Sequence, residues 1–226
     1  MAIDRKEVVR VALKDQFEVA TRVVPPGFAG YDGTIKPVEF NPEKAKQLLA
    51  QAGYPDGKGF PELPITFRQD IPYVGEAAQV VARQLQDNLH IKIQIRPMEW
   101  AQFLTDRTNK TMPLSHLRWG ADYLDPQNYL SLLLHTSKKV NGVEDHPENG
   151  IGYSNTEFDS LCDQADTEKD SKKRMELYLK AEQIAVDDAA WVPMYFQKDL
   201  ELVNPKVKGI RESLLGHLPH LTTTVK

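Results

Sequence analysis

Between Glu99 and Pro126 the chain gathers Trp100, Arg107, His116, Arg118 and Trp119, then the stretch Gly120-Ala121-Asp122-Tyr123 and the pair Asp125-Pro126. Asp122 is the residue with the widest chemistry. It is open between a fixed anion for a ligand ammonium, a catalytic carboxylate and a turn residue that bonds its own backbone. Asp125 precedes a proline and stands where a helix N-cap belongs. The two acids could act as a glycosidase pair, but that mechanism depends on a carboxylate separation that no sequence supplies. Trp100 and Trp119 could wall a pocket or pack a core. Arg107 and Arg118 could each grip a carboxylate in bidentate fashion, or stand as solvated charges. His116 has no second histidine close by, which argues against a metal centre there. His217 and His220 are spaced i and i+3, but Pro219 interrupts the helix on which that spacing would make a ligand pair.

No P-loop, GxGxxG, GxSxG or HExxH pattern occurs, so there is no direct sign of catalysis and no expected cofactor. Cys162 is the single cysteine, which rules out an internal disulfide; within DSLCDQA no basic neighbour lowers its pKa, and it reads as a core thiol. The 28 Lys and Arg against 32 Asp and Glu give a net charge of −4, which supplies no electrostatic footprint for nucleic acid. Apolar runs such as Leu130 to Leu134, broken by Ser131, fall far short of the roughly 20 residues of a membrane helix. The start, MAIDRKEVVRVAL, lacks the apolar stretch of a signal peptide and reads as a helix under way, expected either of a cytoplasmic protein or of a segment of a longer chain.

The elements that must position these residues follow from periodicity. An amphipathic helix is expected over Ile3 to Leu13, and a loop crossing the surface over Val23 to Gly33, with Pro25-Pro26-Gly27 and Asp32-Gly33. Asn41-Pro42 opens a helix that Gly53 stops. Leu63 to Phe67 alternates as a strand, Val74 to Leu89 has helical spacing, and Ile91, Ile93 and Ile95 alternate again. Helix Trp100 to Thr108 and a strand from Met112 to Trp119 extend this to β-α-β-α-β, placing Asp122 just past the carboxyl end of a strand, where α/β sheets present ligand-facing residues. Further helices are expected at Gln127 to Leu134, Thr156 to Ala165 and Ser171 to Asp188. Trp191 to Phe196 and Leu200 to Val203 read as a hairpin or returning strand pair, and 136–154 as a long polar segment.

Several stretches in this order resemble one family. EWAQFL and RWGADYLDPQNYL, with NPEKAKQLLAQAGYPDGKGFPELPITF upstream and KRMELYLKAEQIAVDDAAWVPMYF downstream, are similar to the carboxyl-terminal half of the family 5 extracellular solute-binding proteins. These are the oligopeptide- and dipeptide-binding components of bacterial ABC importers. The resemblance implies an α/β fold, one lobe of a type II periplasmic-binding-protein clamshell with a central mixed β-sheet flanked by helices. It implies a ligand-binding lobe over 1–204 and a return segment over 205–226 toward a first lobe that, with the signal sequence, lies outside this chain. By the same resemblance Asp122 holds the α-ammonium of a peptide. Trp100 and Trp119 line side-chain pockets with Gly120 and Ala121 beside them, Arg107 stands where some members face the ligand with an arginine, and His116 falls where oligopeptide binders can carry another arginine. The implied partners are a peptide or other small ligand, the first lobe and a membrane permease, in an extracytoplasmic setting and without enzymatic turnover. An oligosaccharide or nickel chelate as ligand, and a hydrolase built on Asp122, are the alternatives.

Overall fold

The computed structural model describes residues 1–28, 31, 33–198, 200, 202–210, 215 and 222–225. Helix α1 (Arg5–Ala12) is capped by Asp4, whose carboxylate accepts from the Lys6 and Glu7 amides, and it buries Val8, Val9 and Ala12. Strand β1 (Glu18–Val19) follows, then a loop, then α2 (Pro42–Gln51), begun by Asn41 and Pro42 as expected. Strand β2 (Leu63–Arg68), helix α3 (Pro72–Leu89) and strand β3 (Ile93–Met98) form the β-α-β unit, with β2 and β3 parallel and Ile65 opposite Ile95. Parallel neighbours need such a crossover, and α3 supplies it. It packs Val74 and Ala78 on Ile65 and Phe67 of the sheet, and Ala77 and Val80 on α1.

Helix α4 (Trp100–Thr108) has the predicted bounds because Glu99 caps it, accepting from the Ala101 and Gln102 amides. The strand expected from Met112 to Trp119 is reduced to one parallel bridge, Thr66 to Ser115. Thr66 donates to the Leu114 carbonyl and the His116 amide donates to Thr66, at 2.9 and 2.8 Å. Pro113 has no N–H to extend this ladder backward, and beyond Ser115 the His116 and Arg118 side chains take partners from distant segments. The central sheet is therefore a parallel pair plus one bridged residue. Antiparallel pairing occurs in separate ribbons, so the lobe is α/β with small sheets.

The expected helix at Gln127 to Leu134 is split into a 3₁₀ turn (Pro126–Asn128) and α5 (Ser131–Leu134). The polar segment that follows contains a ribbon, β4 (Lys139–Val140) with β5 (Val143–Glu144), turned at Asn141-Gly142, both at positive φ. Helices α6 (Thr156–Thr167) and α7 (Ser171–Asp187) pack together, and strand β6 (Tyr195–Phe196) pairs antiparallel with β1. No strand forms at Leu200, Leu202 or Val203; β6 finds its partner near the amino end instead. Strands β7 (Val207–Lys208) and β8 (Thr224–Val225) make the last ribbon.

The largest core cluster joins the 23–35 loop to α5, α6 and α7 through Val24, Phe28, Leu130, Leu134, Phe158, Cys162 and Ala181. Burying each large apolar side chain there contributes about 1.5–3 kcal/mol. A fully buried carboxylate, Glu182, ties the loop to this core. It accepts from the Val23 and Val24 amides at 2.7 and 2.8 Å, from Tyr31 Oη at 2.6 Å and from Arg22 Nη2 at 2.6 Å. The Tyr31 phenol, buried beside that anion, has its pKa raised. No helix among the described residues is long and apolar enough to cross a membrane.

Candidate functional site

Because the Thr66–Ser115 bridge is parallel, residues 116–119 leave the sheet at its carboxyl end, beside Arg68 at the end of β2 and just past Met98 at the end of β3. The predicted residues fall into two groups around this end, with Arg107 elsewhere. The first is Trp119 with Asp122. Trp119 is half-buried against the main core, and its indole Nε1 donates to Asn128 Oδ1 at 2.8 Å. Asn128 Oδ1 also accepts from the Asp122 amide at 3.3 Å, and Asn128 Nδ2 donates to Asp122 Oδ2 at 3.4 Å. Asn128 is completely buried while Asp122 is exposed, so an internal amide holds an external carboxylate. Asp122 forms no ion pair among the described residues. Gly120 faces open space and Ala121 packs under the turn.

Behind this turn Asp125 does what its place before Pro126 predicted, accepting from the Gln127 amide at 2.9 Å. It also receives Arg174 of α7 in a bidentate pair, at 2.6 and 3.0 Å. Arg174 donates further to the Ala165 carbonyl and to Tyr178 Oη, both at 3.0 Å, so α6 and α7 both anchor the turn.

The second group surrounds His116. Its Nε2 lies 2.8 Å from Tyr195 Oη, with the rings stacked at 6.0 Å between centroids. Burial, and secondarily the Arg118 charge, push the imidazole pKa down to about 4, so it is neutral at physiological pH. Arg118 Nη1 donates to Gln197 Oε1 at 3.0 Å and to Tyr73 Oη at 3.3 Å. Phe17 packs edge-on to Tyr73 and tilted against Tyr195, completing an aromatic floor. Trp100 opens α4, just past the end of β3. Phe103 stacks on the Trp100 ring at 6.0 Å, and the Arg68 guanidinium sits over that ring at 3.9 Å while pairing with Asp70 at 2.6 Å. Arg68 holds the Asp70 carboxyl below its usual range, with Arg118 acting in the same sense.

Arg107 stands apart from both. Its guanidinium pairs with Glu148 at 3.0 Å and donates to the Glu148 carbonyl, lying so close to Gly150 that a Cβ there would come 2.5 Å from Arg107 Cγ. Among the described residues no contact brings it to Asp122. His217 and His220 lie outside the described residues, and among those described no group of three or more His, Cys, Asp or Glu is arranged to hold a metal ion. Cys162 is buried and its thiol pKa is pushed up to about 12, chiefly by burial. Sequence reasoning missed Asn128, Tyr195 and Gln197. Asn128 carries a signal in retrospect, as an amide among the otherwise apolar Pro126, Tyr129 and Leu130.

Residues 1–141 match the family model described as bacterial extracellular solute-binding proteins, family 5 middle. The chain belongs to this family. The family's members are bacterial extracellular solute-binding proteins. The dipeptide-binding protein DppE of Bacillus subtilis is 30% identical over 228 residues, covering 96% of this chain and 40% of its own length. Heme-binding protein A of Haemophilus influenzae is also 30% identical, over 220 residues, covering 96% of this chain and 38% of its own. The crystal structure of a periplasmic oligopeptide-binding protein (OppAIV) from Borrelia burgdorferi superposes with a TM-score of 0.80 at 28% identity, covering all of this chain and 43% of that one. The family 5 chain described here thus spans about two-fifths of the length of these relatives.

Proposed function

We propose that residues 1–204 form the ligand-binding lobe of a peptide receptor serving an ABC-importer permease, with 205–226 returning toward a first lobe outside this sequence. The observation that carries the reading is Asp122: an exposed carboxylate without an ion pair among the described residues, fixed from beneath by the buried amide of Asn128. An ammonium taken from water on closure needs a charged partner, and a carboxylate on a turn anchored to the core through Asn128 supplies one. Trp119, Gly120 and Ala121 form the surface beside it, and Trp100 and His116 the walls at the carboxyl end of the sheet. Arg107 enters as the residue that fixes the 148–150 loop. Closure is a hinge equilibrium that ligand shifts by touching both lobes, and it involves no chemical turnover. The dipeptide- and oligopeptide-binding relatives support a peptide as ligand.

Calorimetry on the complete receptor tests this. Asp122→Asn is expected to weaken binding of free-amine peptides about tenfold or more, the scale of one charge-assisted hydrogen bond of about 1.5–3 kcal/mol. N-acetylated peptides should lose little; equal losses for both would refute the role. The heme-binding relative favours one second reading, a heme ligand, and heme titrated against the same receptor decides between them.

A further inference from the structure

The polar segment 136–154, which carries the β4–β5 ribbon, is fastened on two sides. On one, Arg107 holds Glu148 at 3.0 Å and Lys110 holds Glu144 at 3.1 Å. On the other stands His135, the C-cap of α5, facing α6. Its Nε2 lies 3.2 Å from Asp163 Oδ1, and its Nδ1 lies 3.2 Å from the Thr136 carbonyl oxygen, with Asp159 Oδ1 at 3.8 Å. Every one of these partners is an acceptor. The arrangement therefore uses an N–H on each ring nitrogen, which only the imidazolium provides. His146, from within the segment, lies on that ring with centroids 4.1 Å apart and planes within 23°. Burial, and then the His135 charge, lower the His146 pKa, while Asp145, Asp159 and Asp163 act against them. One charged ring tolerates a neutral neighbour, whereas two charged rings at that separation repel.

The backbone around the pair is knotted to the same groups. Asp159 accepts from the Thr136 amide at 2.9 Å, and Asp145 accepts from the Lys138 amide at 2.6 Å, just before β4. The buried Asn149 donates to the His135 and Tyr153 carbonyls at 2.9 and 2.8 Å. We infer that the stacked His135–His146 pair, set between Asp163 of α6 and the Thr136 carbonyl, is a proton-operated clasp for segment 136–154, closed while one of the two rings is protonated. Loss of the His135 proton at higher pH leaves a ring nitrogen lone pair facing an oxygen and opens it. A second proton, taken by His146 at lower pH, opens it by repulsion. Carboxylates, ammonium and guanidinium groups keep their charges between about pH 5 and 9, so the fastening at Arg107 and Lys110 does not change there. The clasp is independent of what the receptor binds.

Amide hydrogen exchange of the complete receptor from pH 5 to 9 tests it, read as protection factors so that the chemical pH dependence of exchange divides out. The ribbon amides, residues 139–144, should be most protected in the middle of the range. Their protection should fall between about twofold and tenfold toward pH 9, the scale of one net hydrogen bond, and fall again toward pH 5. Asp163→Asn, at a carboxylate 72% exposed, should lower the mid-range protection and move the upper limb to lower pH. His146→Phe keeps a ring in the stack that cannot titrate, and should abolish the acid limb while leaving the upper one. His135→Gln should lose both limbs. The α3 amides serve as reference and should not respond to any of the three. Wild-type protection that is constant over the range, an upper limb unmoved by Asp163→Asn, an acid limb that survives His146→Phe, or limbs that persist in His135→Gln would each overturn the inference.

Discussion

Replacing Asn128 with alanine should loosen the turn that carries Asp122, and the structure sets the size of the effect. The half-buried Trp119 indole loses an acceptor at 2.8 Å, which costs about 1–2 kcal/mol when water replaces it poorly. The two longer bonds to Asp122, at 3.3 and 3.4 Å, face solvent and together cost about 0.5 kcal/mol or less. Removing three heavy atoms from a fully buried side chain leaves a void of about 40 Å³, worth about 1 kcal/mol. The sum of about 2–3.5 kcal/mol corresponds to a fall in thermal midpoint of about 4–14 °C for a chain of this size. Thermal unfolding followed by tryptophan fluorescence and far-ultraviolet circular dichroism measures it. In the complete receptor the free-amine preference should fall by about twofold, because the carboxylate then samples orientations that do not meet the ligand. A midpoint within about 2 °C of wild type, with the free-amine preference intact, would refute the positioning role of Asn128.

Glu182→Ala removes the anion on which Arg22, the Val23 and Val24 amides and Tyr31 converge, so a loss of about 3–5 kcal/mol is expected by urea denaturation, against a smaller loss for Glu182→Gln; a change below about 1 kcal/mol would contradict the role of that network. His116, with its folded pKa lowered to about 4 from an unfolded value near 6.5, should contribute stability that is complete above about pH 6.5 and is lost progressively as pH falls toward 4. His116→Gln should flatten that acid limb, read as urea midpoints from pH 7 to 4; an unchanged slope would mean that the imidazole is not buried neutral. Cys162 should resist a thiol reagent at pH 8 in the folded chain and react fully in denaturant, whereas rapid native labelling would contradict its burial and raised pKa.

The helices were legible where a cap and a periodic stripe coincided. Asn41-Pro42 marks one start, and the expected bounds Trp100 to Thr108 are the observed ones, with Glu99 found as the cap. The strand at Met112 to Trp119 was not legible, since its apolar pattern says nothing of where His116 and Arg118 find partners, and those partners, Tyr195 and Gln197, lie 79 residues on. The pairing of β6 with β1 was hidden for the same reason: a two-residue strand carries no address for its partner. Within the site, residue types told what Asp122 and Asp125 could do, and only packing showed that Asp125 is held by Arg174 while Asp122 is left open to solvent. Asn128 escaped notice because a buried amide is recognised by what it bonds.

The Glu182 network also bears on how this chain is made. Its bonds to Arg22, Val23 and Val24 close sequence separations of 160, 159 and 158 residues. At synthesis rates of about 5–20 residues per second, roughly 10–30 seconds pass between the emergence of those amides and that of their acceptor. Through that interval Val23, Val24, Phe28 and Tyr31, all destined for the main core, have neither α7 nor its carboxylate to cover them. Wherever the chain folds, Val23, Val24, Phe28 and Tyr31 therefore cannot complete their burial until α7 is present, so a truncation that ends before Glu182 would leave them uncovered.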